Sequence, residues 1–228
     1  MSSRTERFIL FHNFGAIIPN NWKMLTKEYT ILEPFAREAW RRFTFKEIKR
    51  CSKKKSDNYV HTTLKRFVAS EVLQERRIGN TLVYSLTKGT FALNTIGFIA
   101  EYGARAAGYV PHANIQKIIN KLKTAFYILM ITGSYAKNKQ RETSDLDMVI
   151  ICDNKQDPDA ILSQIKLESE LMVPEVHPYV FTQDQLYQML TMKEENYGKE
   201  MVRNNLIITG GKMYYTILTE AIEHGFDG

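Results

Sequence analysis

Residues 131–151 constrain the fold of this chain more than any other stretch. An apolar run breaks at Gly133-Ser134, a polar loop follows, and a second apolar run begins with Asp145 and Asp147. Side chains alternate along a strand with a period of two, so we expect both carboxylates on one face of the second strand. Two carboxylates on one face repel each other unless a cation lies between them. Oxygen ligands of this kind suit Mg²⁺, which predicts a metal site at this position.

The break at Gly133-Ser134 predicts a turn that approaches a phosphate. Glycine lets the backbone come close to a ligand, turn amides donate to phosphate oxygens, and the Ser134 hydroxyl adds another donor. An alternative interpretation is simpler. Most acidic residues lie at the surface, and an Asp-x-Asp pair after a loop is also typical of a solvated strand start.

The same stretch resembles the minimal form of the nucleotidyltransferase superfamily of DNA polymerase beta. The family pattern is G-S-x-A-x-G-x5-S-D-x-D, and the chain matches it with Gly133, Ser134, Ala136, Ser144, Asp145 and Asp147. Asn138 stands where the family usually has glycine. Asparagine tolerates a left-handed backbone, so we expect the loop shape to persist. A looser similarity extends from about residue 112 to the C-terminus.

The resemblance implies an Mg²⁺-dependent enzyme that moves a nucleoside monophosphate from a nucleoside triphosphate to a hydroxyl of a protein, an RNA or a small molecule. It implies that Asp145 and Asp147 are catalytic and hold the metal. It also implies a third catalytic carboxylate on a later strand, for which Glu175 is the candidate. The nucleotide-binding residues that we expect are Gly133, Ser134, Lys137 and Ser144.

Other residues near this pattern have less certain roles. His177 shares a strand face with Glu175, and its interpretation stays open between a phosphate contact, an acid or base, and a satisfied interior histidine. The C-terminal part adds residues that would bind a base or a triphosphate if they lined the cleft, namely Tyr197, Lys199, Arg203 and Lys212.

The segment from residue 30 to residue 87 predicts three helices followed by a hairpin. Apolar spacing indicates a first helix within residues 31–43, Thr44-Phe45-Lys46-Glu47 has the form of a capping box, and Ser56 or Asp57 begins a third helix. Gly79-Asn80 predicts a turn before an alternating strand. This order is similar to a winged helix-turn-helix.

Charge supports a nucleic-acid role for that segment. Residues 41–77 hold twelve Lys or Arg and four Asp or Glu, a net charge of +8, whereas the whole chain carries +6. A localised basic segment is typical of a nucleic-acid module. The alternative is a solvated basic helix in a domain used for packing or protein contacts. The residues that we expect at duplex DNA are Lys53, Lys54, Lys55, Asn58, Tyr59, Thr62, Lys65, Arg66, Arg76 and Arg77.

Together these patterns predict an α+β chain in which a winged helix-turn-helix precedes a polymerase beta-like nucleotidyltransferase domain, a small mixed sheet with flanking helices. The expected division is an N-terminal arm at 1–28, the winged helix at 29–90, a linker helix at 91–111 and the nucleotidyltransferase domain at 112–228. Two further helices are predicted at 183–192 and 196–208.

Composition limits the cellular compartments and partners that we expect for this chain. Two cysteines and no signal peptide or membrane span predict free thiols in a cytoplasmic protein with no membrane partner. The resemblance adds a toxin-like protein partner, and a palindromic DNA site would require a homodimer. The second functional hypothesis is a DNA-binding transcriptional regulator or antitoxin-like protein, whose nucleotidyltransferase fold only senses nucleotide or binds a partner.

Overall fold

The computed structural model describes residues 27–124 and 126–228. The predicted N-terminal arm therefore lies almost entirely outside the described residues. The first part of the described chain holds a 3₁₀ turn, three helices and a small antiparallel sheet. These elements are Tyr29–Ile31 (3₁₀), α1 Glu33–Arg37, β1 Phe43–Thr44, α2 Phe45–Cys51, α3 Asp57–Ala69, β2 Leu73–Ile78 and β3 Thr81–Leu86, with the sheet in the order β1-β3-β2.

Side-chain caps fix where two of these helices begin. The Thr44 hydroxyl accepts a hydrogen bond from the Glu47 amide, and the Glu47 carboxylate accepts one from the Thr44 amide, so the predicted capping box is confirmed. Ser56 caps α3 through the Tyr59 amide. These bonds satisfy amides that the first helical turn leaves without partners.

The expectation of one helix within residues 31–43 is only partly right. The helix ends at Arg37, and Glu38 leaves it with φ −135°. The chain turns here because Phe43 pairs with Tyr84 in the sheet and stacks edge-on against Phe35, with ring centroids 5.0 Å apart. Tertiary packing thus overrides the local helical spacing.

The second part of the described chain forms a four-stranded mixed sheet with helices on both faces. Strand order is β6-β5-β4-β7, with β5 and β6 parallel and the other pairs antiparallel. The elements are α4 Thr90–Ala106, α5 His112–Ile119, β4 Tyr127–Ile131, α6 Gly133–Ala136, β5 Leu146–Cys152, α7 Pro158–Ser169, β6 Val176–Thr182, α8 Gln183–Thr191, α9 Tyr197–Arg203, β7 Leu206–Thr209 and α10 Gly211–Glu223.

The predicted helix at 196–208 is wrong in its last part. It ends at Arg203, and residues 206–209 form β7, which pairs with the free edge of β4. The run Ile207-Ile208-Thr209 is β-branched and favours a strand. The pairing gives the backbone of β4 a hydrogen-bonding neighbour on each side.

Both faces of the two central strands, β4 and β5, are largely buried. Ile128, Met130, Val149 and Ile151 face one core, which continues through α4 and α10 to Ile31 and Phe35 in the first part of the chain. The alternate residues of β4 and β5 face a second core beneath α5 and α7. Two buried faces explain why these strands read as uninterrupted apolar runs.

Helix α4, predicted as a linker, packs closely on α10. If Gly97 carried a side chain, its Cβ atom would lie 2.5 Å from the backbone nitrogen of Lys212 in α10. The Glu101 carboxylate accepts a hydrogen bond from the Gly211 amide at 2.6 Å, at the start of α10. The buried core therefore runs across the predicted boundary, and the proposed division into domains stays a prediction.

Among the described residues, no helix is long and apolar enough to cross a membrane. Cys51 and Cys152 are free thiols, the first exposed and the second buried.

Candidate functional site

The bend after β4 brings the backbone against Asp147. Gly133 has φ +64°, in the left-handed region, and a Cβ added there would overlap the Asp147 carboxylate. The Thr132 amide donates to the Asp147 carbonyl at 2.9 Å and fixes the start of the bend on β5. Both the backbone angle and the close approach require glycine at this position.

The loop that follows keeps the predicted left-handed turn. Asn138 has φ +51°, which confirms that asparagine supports this conformation in place of glycine. The Lys139 amide donates to the Ser134 carbonyl at 2.9 Å. Further along, the Ser144 hydroxyl accepts from the Arg141 amide at 2.8 Å, so this side chain closes the loop just before the first acid.

The acids gather where β5 and β6 begin side by side. Asp145 directly precedes β5, and Asp147 lies on it opposite His177 of the parallel strand β6. Glu175 and His177 are exposed while Val176 between them is buried, so the two share one face. The Asp145, Glu175 and His177 ligand atoms all lie within 4.8 Å of one another.

His177 stands between two acids. Its Nδ1 is 3.8 Å from Asp145 Oδ2, and its Nε2 is 3.5 Å from Glu175 Oε1. About half of its side chain is exposed. The interpretation of His177 as an interior histidine is therefore wrong, because its strand face is turned toward solvent.

The carboxyl group of Asp147 is the most confined of the acids. Burial raises the pKa of Asp147, the negative charges of Asp145 and Glu200 raise it further, and His177 opposes them. A carboxylate held among other acids is destabilised as an anion unless a cation compensates for it. The arrangement therefore favours cation binding here.

A cavity of about 130 Å³ opens beside Asp147, which is one of its lining residues. Gly133, Lys137, Tyr179, Tyr197 and Glu200 also line it. The Tyr179 and Tyr197 rings lie 5.0 Å apart, and the Tyr197 hydroxyl is 3.4 Å from the Thr132 hydroxyl. The cavity joins carboxylates, a cation and aromatic rings in one place.

The structure separates the residues that we expected at the nucleotide into two groups. Gly133, Lys137 and Tyr197 line the cavity, and Lys137 Nζ is 3.8 Å from a Glu200 carboxylate oxygen. Ser134 and Ser144 are not among the residues that line it. Lys199 is buried, and its ammonium group donates a hydrogen bond to the Lys193 carbonyl. Arg203 forms an ion pair with Glu195.

The sequence analysis did not predict several residues of the cavity, among them Tyr179 and Glu200. Tyr179 follows His177 by two positions, so the period of two that we applied to Glu175 and His177 would also have found it. Glu200 lies on α9, and no spacing rule connects that helix with the acids of β5.

Most of the residues that we predicted to contact DNA are exposed. They lie within the basic segment of residues 41–77, here called the basic unit. Lys53, Lys55 and Asn58 lie before and at the start of α3, Thr62 and Lys65 lie farther along it, and Arg76 and Arg77 lie on β2. Three others have protein partners in this structure. Arg66 pairs with Glu28 at 2.6 Å, Lys54 lies over the Tyr59 ring at 5.8 Å, and the Tyr59 hydroxyl is buried.

Comparison with known proteins gives one result for this chain. Residues 114–208 match the family model described as polymerase beta, nucleotidyltransferase, a span that runs from within α5 to within β7 and includes the bend, the acids and the cavity. No curated protein and no solved structure matches the chain. The matched span supports a polymerase beta-like domain in this part of the chain, with a fold that suggests nucleotidyl transfer.

Proposed function

We propose that this chain is an Mg²⁺-dependent nucleotidyltransferase that moves a nucleoside monophosphate from a nucleoside triphosphate to a hydroxyl acceptor. The observation that carries the proposal is the contact between the Gly133 bend and Asp147, which places a close-approaching backbone beside clustered acids. The family match over residues 114–208 supports it independently.

The donors at the site fit Mg²⁺. Asp145 and Asp147 offer carboxylate oxygens, the hard ligands that Mg²⁺ takes together with phosphate oxygens. Burial, with a smaller contribution from Asp145 and Glu200, raises the pKa of Asp147, so a bound cation would stabilise its ionised form. When bound, Mg²⁺ would neutralise triphosphate charge and lower the pKa of the acceptor hydroxyl.

The protein residues supply position and charge. The Gly133 backbone would hold phosphate oxygens in the cavity, and Lys137 would pair with the triphosphate in place of Glu200. Glu175 would accept the proton of the attacking hydroxyl. The hydroxyl oxygen then bonds to the α-phosphorus while the bond to the pyrophosphate oxygen breaks, so catalysis is mainly positioning and electrostatic stabilisation.

The acceptor is a protein side chain, an RNA end or a small molecule, and a toxin-like protein partner belongs to the first of these classes. The test uses ATP labelled at either the α- or the γ-phosphate, incubated with the protein and a cell extract. We expect transfer of the α-label and none of the γ-label. The variant Asp145→Asn/Asp147→Asn should reduce transfer by at least about 100-fold, whereas Asp159→Asn, an exposed acid on α7, should leave it unchanged.

Equal labelling by the double variant would contradict this function, as would the absence of transfer from all four common triphosphates. The second candidate would then stand alone. In that candidate the chain is a DNA-binding regulator whose polymerase beta-like fold senses nucleotide or binds a partner.

The specific observation that favours DNA binding is the basic unit itself. The order α1-β1-α2-α3-β2-β3, with β3 between β1 and β2, is compatible with a winged helix. Lys53, Lys55 and Lys65 near and on α3, with Arg76 and Arg77 on β2, make no ion pair within residues 27–124 and 126–228. DNA binding is also compatible with the enzyme and would place transfer near a bound duplex.

A further inference from the structure

We propose that the metal site of this chain includes the imidazole of His177, and that the site therefore binds Mn²⁺ more tightly than Mg²⁺. In this arrangement His177 Nδ1, Asp145 and Asp147 hold the ion. Glu175 orients the imidazole through Oε1, which leaves Oε2 to accept the proton of the attacking hydroxyl. The inference rests on the proposed function, because it concerns the metal site on which that function depends.

The position of His177 follows from the sheet. Parallel pairing sets it directly opposite Asp147, and Asp145 precedes Asp147 by two residues on the neighbouring strand. His177 Nδ1 is 3.8 Å from Asp145 Oδ2. Two ligands of one ion with bonds of about 2.1–2.2 Å lie roughly 3–4.4 Å apart, so this separation suits a shared ion.

The second ring nitrogen, Nε2, gives Glu175 a role in this arrangement. Nε2 lies 3.5 Å from Glu175 Oε1, on the side away from Asp145. A histidine that binds a metal through one nitrogen usually donates the N–H of the other to a carboxylate or carbonyl, which fixes the ring. Glu175 is placed to receive that N–H. Its side chain is 74% exposed, whereas Asp145 and His177 are about half-exposed, so Glu175 lies at the rim.

The choice of ion follows from the nitrogen ligand. Mg²⁺ prefers oxygen ligands and keeps several waters, so it gains little from an imidazole. Imidazole nitrogen suits first-row transition metals, whereas carboxylate oxygens suit both Mg²⁺ and Mn²⁺. Mn²⁺ accepts both kinds of ligand, so a site with two carboxylates and one imidazole favours Mn²⁺ over Mg²⁺, and we expect the imidazole to increase that preference by about tenfold.

The direct test is pulsed electron paramagnetic resonance of Mn²⁺ added to the full chain after chelator treatment. We expect hyperfine coupling to an imidazole nitrogen in the wild type and in His61→Gln, a control at an exposed histidine of α3. His177→Gln should lose that coupling. Calorimetry on the same variants should show Mn²⁺ affinity falling about 10–100-fold in His177→Gln, with Mg²⁺ affinity changing less.

The variant His177→Asp serves as a control for misfolding, which would also abolish the nitrogen coupling and the Mn²⁺ binding. It replaces the nitrogen ligand by an oxygen ligand, so it should keep Mg²⁺ binding and lose the nitrogen coupling. Mn²⁺ bound to the wild type without nitrogen coupling would overturn this inference and leave the proposed function standing. If neither Mn²⁺ nor Mg²⁺ binds to the folded protein with nucleotide present, both the inference and the metal-dependent function fail.

Discussion

The two sheets of this molecule carry their charges in opposite ways. Around the three-stranded sheet, cations such as Lys55, Lys65 and Arg76 are spread over an exposed face. At the edge of the four-stranded sheet, the acids converge on His177 and on a partly buried Asp147. Dispersed exposed charges cost little to keep, whereas a converging acid cluster destabilises the protein unless a ligand compensates for it.

That difference separates two kinds of function. A spread basic face suits a long polyanion, whose many phosphates each meet one cation. A compact acidic site beside a cavity suits one small cationic ion with its nucleotide. We therefore expect salt to act mainly on the basic face and pH mainly on the acid site, and we expect the packing of α4 on α10 to contribute to stability.

The largest expected effect is the salt dependence of DNA binding by the basic unit. If its five unpaired cations each meet a phosphate, retention on duplex DNA should fall on the order of 500-fold between 50 and 200 mM salt. Arg76→Ala/Arg77→Ala should reduce the slope of log affinity against log salt by about 2. Lys155→Ala, at an exposed site near the four-stranded sheet, should not change it. Retention that is the same at both salt concentrations would rule out the DNA interface.

The next effect concerns the packing of α4 on α10. Gly97→Ala should lower the free energy of unfolding by about 1–3 kcal/mol, because the new methyl group would meet the Lys212 backbone at 2.5 Å. Gly103→Ala in the same helix meets nothing within 4 Å and should stabilise by about 0.5–1 kcal/mol. Urea unfolding of both variants measures the difference. Equal effects would show that the two helices do not pack closely.

A smaller effect on stability is expected when the negative charge of Asp147 is removed from the acid cluster. Burial and neighbouring acids raise the pKa of Asp147 in the folded state. The folded state then binds this proton more tightly than the unfolded state, so stability falls as pH rises from the ordinary aspartate pKa through the raised value. Asp147→Asn should raise the melting temperature of the metal-free protein by about 1–3 °C at neutral pH.

The same comparison made below about pH 3 should show almost no gain, because Asp147 is then largely protonated in both states. Thermal unfolding at the two pH values provides the measurement. A destabilised Asp147→Asn protein at neutral pH would mean that this carboxylate contributes favourable contacts instead of strain.

The smallest effect is expected at the left-handed turn. Asn138→Ala should destabilise the protein by about 1 kcal/mol, since alanine lacks the local tolerance of asparagine at φ +51°. Asn138→Gly should stay within about 0.5 kcal/mol of the wild type. Chemical unfolding resolves the two. A tolerated alanine would indicate that the loop relaxes to another conformation.

The sequence predicted the Gly133 bend and the left-handed turn at Asn138 well, because the signals for both are local. Gly133, Asn138 and Asp147 are tied to one another by fixed spacing, by backbone angles and by the period of a strand. The contribution of Glu200 depends on how α9 packs beside β5, which no local pattern encodes. The same limit explains why β7 was predicted as helix, since its strand state depends on the edge of β4.

In the basic unit, local sequence patterns predicted exposure but not the contacts of individual side chains. Charge and helical spacing predicted an exposed basic helix, and Lys65 and Thr62 are indeed exposed on α3. They could not predict that Arg66 pairs with Glu28 or that the Tyr59 hydroxyl is buried. Both depend on contacts with residues outside α3, so the composition of the helix alone carries no information about them.

The central claim is that Asp145 and Asp147 bind a metal–nucleotide complex beside the Gly133 bend. Calorimetric titration with a nonhydrolysable ATP analogue and Mg²⁺ tests it most directly. We predict saturable binding to the wild type and a loss of affinity on the order of 100-fold, about 2.7 kcal/mol, in Asp145→Asn/Asp147→Asn. Binding of equal strength in both proteins would contradict the account.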